Sequence, residues 1–431
     1  MTLLGIAWRS IRQRPLQSAL TALSLALGVA LVVATLVVSG VVQRAFAAGA
    51  GLGYNMIVGA KGSPLQLVLN SVYLISRPVE NLPWTVYEDF LAAEGRRDGR
   101  AGRFASSVAK AIPICMGDYY KGYRVVGTSR GYFERLTAGD GRPFAFAAGE
   151  NFRDEDLFTA VVGAEVAARI GLRVGDGIAP QHGADPTKIH DPFRITGVLA
   201  RTGTPVDRGV YVNMEGFYLQ DGHAKPPGEG AAADAAAPAP GLLPYAEREV
   251  TAILVETAAP PGLPPELMAL EVSQAINEGR DAQAAMPVRE IRQLLDLFVR
   301  PLEILLLLVT ALVVVVSAIG ILVSMVGSAL ERSRDVAIMR ALGAGRGTVL
   351  ATVLVEAVLL AGIGGLAGWA LGHGVVAAIA PWVADRAGVT VGFLSGSPAE
   401  LLLVPLLVGL AVLAALIPAL SAYRTDVARW L

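Results

Sequence analysis

The sequence predicts a membrane protein with four transmembrane α-helices and a large α+β extracytoplasmic domain between the first and the second. Three observations carry this reading. Of 431 residues, 53% are hydrophobic and 17% charged, and the mean hydropathy is +0.52. That balance is too apolar for an ordinary soluble chain and too polar for a carrier lying wholly in lipid. The charge is also segregated. Residues 43–300 carry 26 Lys and Arg and 30 Asp and Glu, whereas residues 1–42 carry three Arg and no acid, and residues 301–431 carry seven Arg and seven acids. Finally, four stretches reach the roughly 20 apolar residues that a spanning helix needs.

The elements follow in order. Residues 1–18 form a cytoplasmic amphipathic segment holding Arg9, Arg12 and Arg14. The first span, 19–42, is uncharged from Ala19 to Val42. Ala45-Phe46-Ala47 resembles a small-residue cleavage site, but the apolar core exceeds the roughly 7–15 residues of a signal peptide, so the segment is expected to remain as an anchor. An α+β domain occupies 43–287. A stalk and second span occupy 288–326, the third span 348–372 and the fourth 401–420, with a cytoplasmic tail over 421–431. The apolar stretch Val375–Val383 either extends the third span or lies at the interface. Arginine placement sets orientation: Arg9, Arg12 and Arg14, then Arg332, Arg334, Arg340 and Arg346, then Arg424 and Arg429 all fall on one side if both termini are cytoplasmic. The 43–287 insert is then outside, which in a bacterium places the chain in the inner membrane with its large domain periplasmic.

Within the insert, strand-like runs are Met56–Val58, Lys110–Ile114, Tyr123–Val126, Thr159–Val162, Phe193–Val198, Val210–Asn213 and Val250–Val255. Helical pieces are Glu165–Ile170, stopped by Gly171, and Pro265–Asn277, stopped by Gly279. Residues 224–244 are rich in Ala, Pro and Gly and read as a flexible loop. A subdomain is expected over 151–222. Ile291, Leu294, Leu295, Phe298 and Leu302 recur at helical spacing, which predicts a stalk entering the second span, kinked at Pro301.

Net charge is −1, so bulk electrostatics attracts no nucleic acid. The single cysteine, Cys115, excludes an internal disulfide and a cysteine-based zinc cluster. No Walker A motif occurs; Gly59-Ala60-Lys61-Gly62-Ser63 has its residues in the wrong arrangement. Gly362-Ile363-Gly364-Gly365-Leu366-Ala367 fits a loose dinucleotide pattern but lies inside a span. Gly127-Thr128-Ser129-Arg130-Gly131 fits G-x-S-x-G, yet Tyr132-Phe133-Glu134 starts the required helix poorly, so a plain turn is the favoured reading. His182, Asp185, His190 and Asp191 share a polar segment from which His182, His190 and Asp191 are weak metal candidates. With Pro186 and Pro192 in it and without the tight spacing of zinc motifs, a solvated loop is the favoured reading and no metal site is assigned.

In the third span Gly364, Gly368 and Gly372 lie along one helix face, which permits close approach to another span. Glu356 extends that stripe toward the cytoplasm. A carboxylate in a span is costly and is paired or snorkels. Between the second and third spans runs Glu331-Arg332-Ser333-Arg334-Asp335-Val336-Ala337-Ile338-Met339-Arg340-Ala341-Leu342-Gly343-Ala344-Gly345-Arg346. Val336, Met339, Arg340 and Leu342 have helical spacing and Gly343 is a helix stop. An interfacial helix is one reading and a docking knob for a cytoplasmic partner the other.

This stretch resembles the MacB/FtsX-like permease family of ABC transporters, the type VII or mechanotransmission class. The family pattern is E-R-x-R-E-[IV]-[AG]-[IL]-[LM]-[RK]-A-[LI]-G-A, followed by a span with an early Glu and a glycine stripe. Glu331 to Ala344 matches almost position for position, with Asp335 in place of Glu, and Glu356, Gly364 and Gly368 match the rest. Asn151–Asn213 resembles the family's periplasmic core domain more loosely. The resemblance implies a non-catalytic permease subunit, with no cofactor of its own, working beside a cytoplasmic ABC ATPase that binds ATP and Mg. It implies a second permease copy or paralogue, and a periplasmic adaptor or substrate-binding protein. Glu331, Arg332, Arg334, Asp335, Met339, Arg340, Leu342 and Gly343 would couple to the ATPase; Glu356, Gly364, Gly368, Gly372 and Pro301 would pack and transmit motion. Efflux or lipoprotein and lipid extraction is the expected work. Signalling to a periplasmic enzyme such as a cell-wall hydrolase, or metal-linked transport, are the alternatives. The chain differs from fused family members in having no ATPase domain, and its outer domain is larger than that of the cell-division branch.

Overall fold

The computed structural model describes residues 2–96, 98–139, 141–183, 185, 187–223, 242–259, 262, 264–331, 345–387 and 398–424. They divide into two units, Arg44–Leu295 and the combination of Met1–Gln43 with Asp296–Leu431.

The first of these units is built on strands β1 (Met56–Gly59), β2 (Leu82–Pro83), β3 (Val108–Tyr120), β4 (Tyr123–Thr128), β5 (Phe146–Gly149), β6 (Thr159–Val162), β7 (Gly177–Ile178), β8 (Phe193–Leu199), β9 (Gly209–Asn213), β10 (Glu249–Val250), β11 (Ala252–Thr257) and β12 (Gln283–Ala285). Ten form one sheet in the order β12-β1-β11-β3-β4-β9-β6-β8-β5, with β7 beside β8; β2 and β10 pair separately. The pairs β4–β9 and β6–β8 are parallel and the others antiparallel.

Alternate residues on each strand enter different cores. Met56, Val58, Cys115, Val210, Val212, Ile253 and Val255 lie in one apolar layer. Ile57, Ile112, Ile114, Met116, Tyr211 and Leu254 lie in another. Successive side chains point to opposite faces, so the sheet is covered on both. That explains why its strands read as continuous apolar runs rather than an alternation.

The seven expected strand runs fall on β1, β3, β4, β6, β8, β9 and β10–β11. The sequence reading missed β2, β5, β7 and β12, which are two to four residues long and composed of Leu-Pro, Phe-Ala-Ala-Gly, Gly-Ile and Gln-Ala-Ala. Such segments carry little strand signal and are held by their neighbours. The expected subdomain over 151–222 is corrected: its strands β6, β8 and β9 belong to the same sheet as β1, β3, β4 and β11. Gly171 ends the helix Ala164–Ile170 in the left-handed region, at φ 78°. Gly279 ends Pro265–Glu278 with an ordinary extended φ of −68°.

The other unit contains four helices long and apolar enough to cross a membrane, by length and composition, among the described residues. A short helix, Leu3–Gln13, capped by the Thr2 hydroxyl accepting from the Gly5 N–H, precedes the first, Pro15–Ala48. The second is Arg300–Glu331, the third Arg346–Ala387 and the fourth Leu403–Arg424. All begin or end beyond the apolar stretches, because a helix does not stop where hydrophobicity does. The third is the largest departure from the expected 348–372. It continues through Val375–Val383 with Pro381 inside it and has 42 residues. At 1.5 Å per residue that is about 63 Å, well beyond a hydrocarbon core of about 30 Å.

Candidate functional site

The third helix lies against the first along its glycines. A Cβ on Gly368 would stand 2.4 Å from the Ala26 carbonyl oxygen and 2.6 Å from Val29 Cβ. On Gly364 it would meet Leu25 Cβ and the Ala22 carbonyl oxygen at 2.8 and 2.9 Å, and on Gly372 Val33 Cβ and the Ala30 carbonyl oxygen at 2.8 and 2.9 Å. Ala22, Ala26 and Ala30 recur every four residues, so two small-residue stripes face one another and the backbones touch. Around the seam, Leu25 packs with Ala357, Ala361, Ala411 and Ala415, which brings in the fourth helix. Glu356 sits on the same face and is buried.

Pro301 is the second residue of the second helix. Immediately before it, Leu295–Val299 forms a π-turn that follows the helix Pro287–Leu294. A proline offers no N–H and its ring crowds the carbonyl four residues earlier, so the wider turn is where the backbone accommodates it. Glu331 ends the second helix. Arg332, Arg334, Asp335, Met339, Arg340, Leu342 and Gly343 lie outside the described residues, as does the 224–241 part of the Ala/Pro/Gly segment.

Farther along the third helix, the sequence reading overlooked His373. Its Nε2 lies 3.0 Å from Glu400 Oε2, the same oxygen that accepts from Trp369 Nε1 at 3.2 Å. The histidine side chain is 2% exposed. An ionisable residue within a span was the available signal.

The second constellation lies in the sheet unit. The β3–β4 register shifts between Met116 and Tyr119, so Gly117 and Asp118 face one residue of β4 in a β-bulge. The bulge sets Asp118, fully buried, among three histidines. His182 and His190 stand on opposite arms of a narrow ribbon. In it the His182 N–H donates to the Lys188 carbonyl at 2.9 Å and the His190 N–H to the Pro180 carbonyl at 2.9 Å. The ribbon joins β3 through Gln181, which exchanges two backbone hydrogen bonds with Tyr119. A Cβ on Gly183 would fall 1.9 Å from the Gly117 carbonyl oxygen, so only glycine lets the ribbon approach the bulge this closely. His223 follows the helix Met214–Tyr218, its ring 4.2 Å from that of Phe217.

The expected solvated loop over His182–Asp191 is therefore corrected, because tertiary pairing folds it onto a strand more than 60 residues earlier. Asp191 is exposed, and its contribution is backbone. Its N–H donates to Gln220 Oε1 at 2.9 Å and its carbonyl accepts from Gln220 Nε2 at 3.2 Å, which ties the ribbon to the turn bearing His223. Asp185 is taken up by the Thr187 hydroxyl and N–H. Burial pulls the His190 pKa down; Asp118 opposes that, and His223 and His182 reinforce it.

The other motifs resolve to local structure. Ser63 caps the helix Pro64–Ser71, and Lys61 Nζ donates to the Asn277 carbonyl at 2.8 Å. Ser129 does stand between β4 and a short helix, Gly131–Arg135, but no described hydrogen bond joins its hydroxyl to a histidine or carboxylate.

Comparison with known proteins fits this architecture. The model of the MacB-like periplasmic core domain matches residues 18–258, and that of the FtsX-like permease C-terminal region matches residues 307–427. The chain belongs to the MacB/FtsX-like permease family. The core-domain match is far wider than the Asn151–Asn213 resemblance, since it takes in the first span and every strand from β1 to β11. Among curated proteins, this permease is 46% identical over 61 residues to an uncharacterized ABC transporter permease, YknZ, of Bacillus subtilis (strain 168). That alignment spans 14% of this chain and 15% of the relative. The matches identify an ABC transporter permease of the MacB/FtsX type.

Proposed function

We propose that this permease couples ATP hydrolysis by a separate cytoplasmic ATPase, which binds ATP and Mg, to conformational work on a periplasmic substrate, of the efflux or lipid- and lipoprotein-extraction type. The supporting observation is the Glu331–Ala344 motif. It lies between the second and third apolar helices, inside the FtsX-like match, in 431 residues that contain no Walker A sequence. The ATP hydrolysis that drives the work then lies outside these 431 residues, and a short stretch that combines several charges with apolar Met339 and Leu342 offers a surface that an ATPase subunit can grip. Glu331, Arg332, Arg334, Asp335, Met339, Arg340, Leu342 and Gly343 form that surface. Displacement there passes into the third helix and, through the Gly364–Gly368–Gly372 contact, to the first. The helical run from Pro287 through Pro301 is the stalk. The working unit pairs this chain with a second permease copy or paralogue in the inner membrane.

Replacing Met339 and Leu342 with Asp tests the coupling surface. If both are buried in the docked state, the new charges cost several kcal/mol to desolvate. Membrane insertion is expected to persist, because the spans are untouched, while ATPase recruitment and stimulation are lost. Normal recruitment and stimulation by the double variant would refute the coupling role.

A further inference from the structure

We infer that Asp118, His182, His190 and His223 form a binding site for one divalent transition-metal ion, with zinc as the best fit. The four donors come from three separate parts of the chain: the β3 bulge, the 180–190 ribbon and the turn after Met214–Tyr218. His223 Nε2 is 3.1 Å and His190 Nε2 3.4 Å from Asp118 Oδ2, His182 Nδ1 is 3.3 Å from Asp118 Oδ1, and the His190 and His223 Nε2 atoms are 3.2 Å apart. One donor atom from each residue lies within 4.8 Å of all the others. Ligands about 2.0–2.1 Å from a tetrahedral zinc ion are separated by about 3.3 Å, the edge of that tetrahedron. The four spacings just given, 3.1–3.4 Å, lie near this value, with the histidine contacts to Asp118 shared between its two carboxylate oxygens.

Hydrogen bonding alone leaves the group unsatisfied. Both Asp118 oxygens and His182 Nδ1 are buried and have no hydrogen-bond partner despite the short distances. A buried carboxylate without donors is strongly unfavourable. A single cation placed among the donors satisfies the carboxylate and all three imidazoles together. Three nitrogens and one carboxylate oxygen suit zinc and its neighbours, whereas calcium and magnesium require oxygen-rich shells. The His182 side chain is 22% exposed, against 8% for His223, 1% for His190 and none for Asp118. Entry and exit are therefore on the His182 side. Gln220 holds the two histidine-bearing segments in register and is a positioning residue.

The test uses the metal-stripped full-length permease, without a polyhistidine tag, titrated with Zn2+ and separately with Co2+. One equivalent of Zn2+ is expected per chain, and Co2+ should give the intense visible absorption of a tetrahedral complex. Loss of a group that merely hydrogen-bonds a metal ligand typically weakens metal binding by about 10–100-fold, so removing a ligand itself in H190A or H223A should weaken it by at least about 100-fold. H182A removes the most exposed ligand and tests binding with the least disturbance of the fold. H373A, the remaining histidine, should leave the titration unchanged. Failure of wild-type protein to bind one equivalent, an octahedral Co2+ spectrum, or a titration indifferent to H182A and H190A would overturn the site. The inference is independent of ATPase coupling: M339D/L342D should lose ATPase stimulation and keep its full equivalent of zinc.

Discussion

Arg248 shows how much one side chain can hold in the sheet unit. It is 2% exposed. Its Nη1 and Nη2 donate to Glu215 Oε1 and Oε2, both at 2.8 Å, and its Nε donates to the Leu243 carbonyl at 2.9 Å. Its guanidinium lies 4.7 Å from the Tyr245 ring and 5.4 Å from those of Trp84 and Tyr218. The fork geometry and flat faces are specific to arginine. Removing one partner of such a buried pair leaves a carboxylate short of its donors, so R248A should destabilise the unit by about 3–5 kcal/mol, and R248K should recover little. Cys115 offers the readout. Burial pushes its thiol up to about 12, and it donates to the Tyr218 hydroxyl at 3.3 Å, so alkylation reports opening of this core. An R248A protein whose Cys115 reacts in denaturant at the wild-type midpoint would show that the pair contributes nothing net.

At the scale of elements, the first and third helices are joined by the absence of side chains. An added methyl on Gly368 meets backbone, which cannot rotate away, and forcing an extra methyl into a tight contact costs typically 1–3 kcal/mol. Gly362 lies on the same helix with open space where its Cβ would stand. G368A is therefore expected to lower the thermal midpoint of the detergent-solubilised permease and weaken its stimulation of the ATPase. G362A should be neutral or slightly stabilising, since alanine is the better helix former. Equal behaviour of the two variants would remove the close-packed seam from the account of transmission.

At the scale of the whole molecule, the arginine distribution predicts an orientation that labelling can test. Lys121, at the exposed turn between β3 and β4, should be extracytoplasmic, and exposed Gly345, just before the third helix, cytoplasmic. With Cys115 buried, K121C should react with a membrane-impermeant maleimide in intact cells and G345C only after permeabilisation. Labelling of G345C in intact cells would reverse the topology and move the metal site to the cytoplasmic side.

Much of this protein is legible in local sequence. Helix existence follows from unbroken apolar length, as in Pro15–Ala48 and Leu403–Arg424, and the small-residue face follows from the period that places Gly364, Gly368 and Gly372 together. These properties depend on neighbours a few positions away. The long apolar strands announce themselves for the same reason, although β12, with only Gln-Ala-Ala, exists because β1 presents it with hydrogen-bonding groups. The partner of the glycine stripe required the tertiary structure, since several small-residue stretches could have faced it and only packing selects Ala22, Ala26 and Ala30. The histidine cluster depended on it most. His182 and His190 are close in sequence, but Asp118 precedes them by more than 60 residues and His223 follows by more than 30. Asp118 occupies an apolar strand, where its isolated carboxylate has no periodicity to mark it. Folding of the ribbon onto the bulge at Gly117 and Asp118 brings the four donors together, because the close approach of two backbones is a property of their packing and is not encoded by any spacing along the chain.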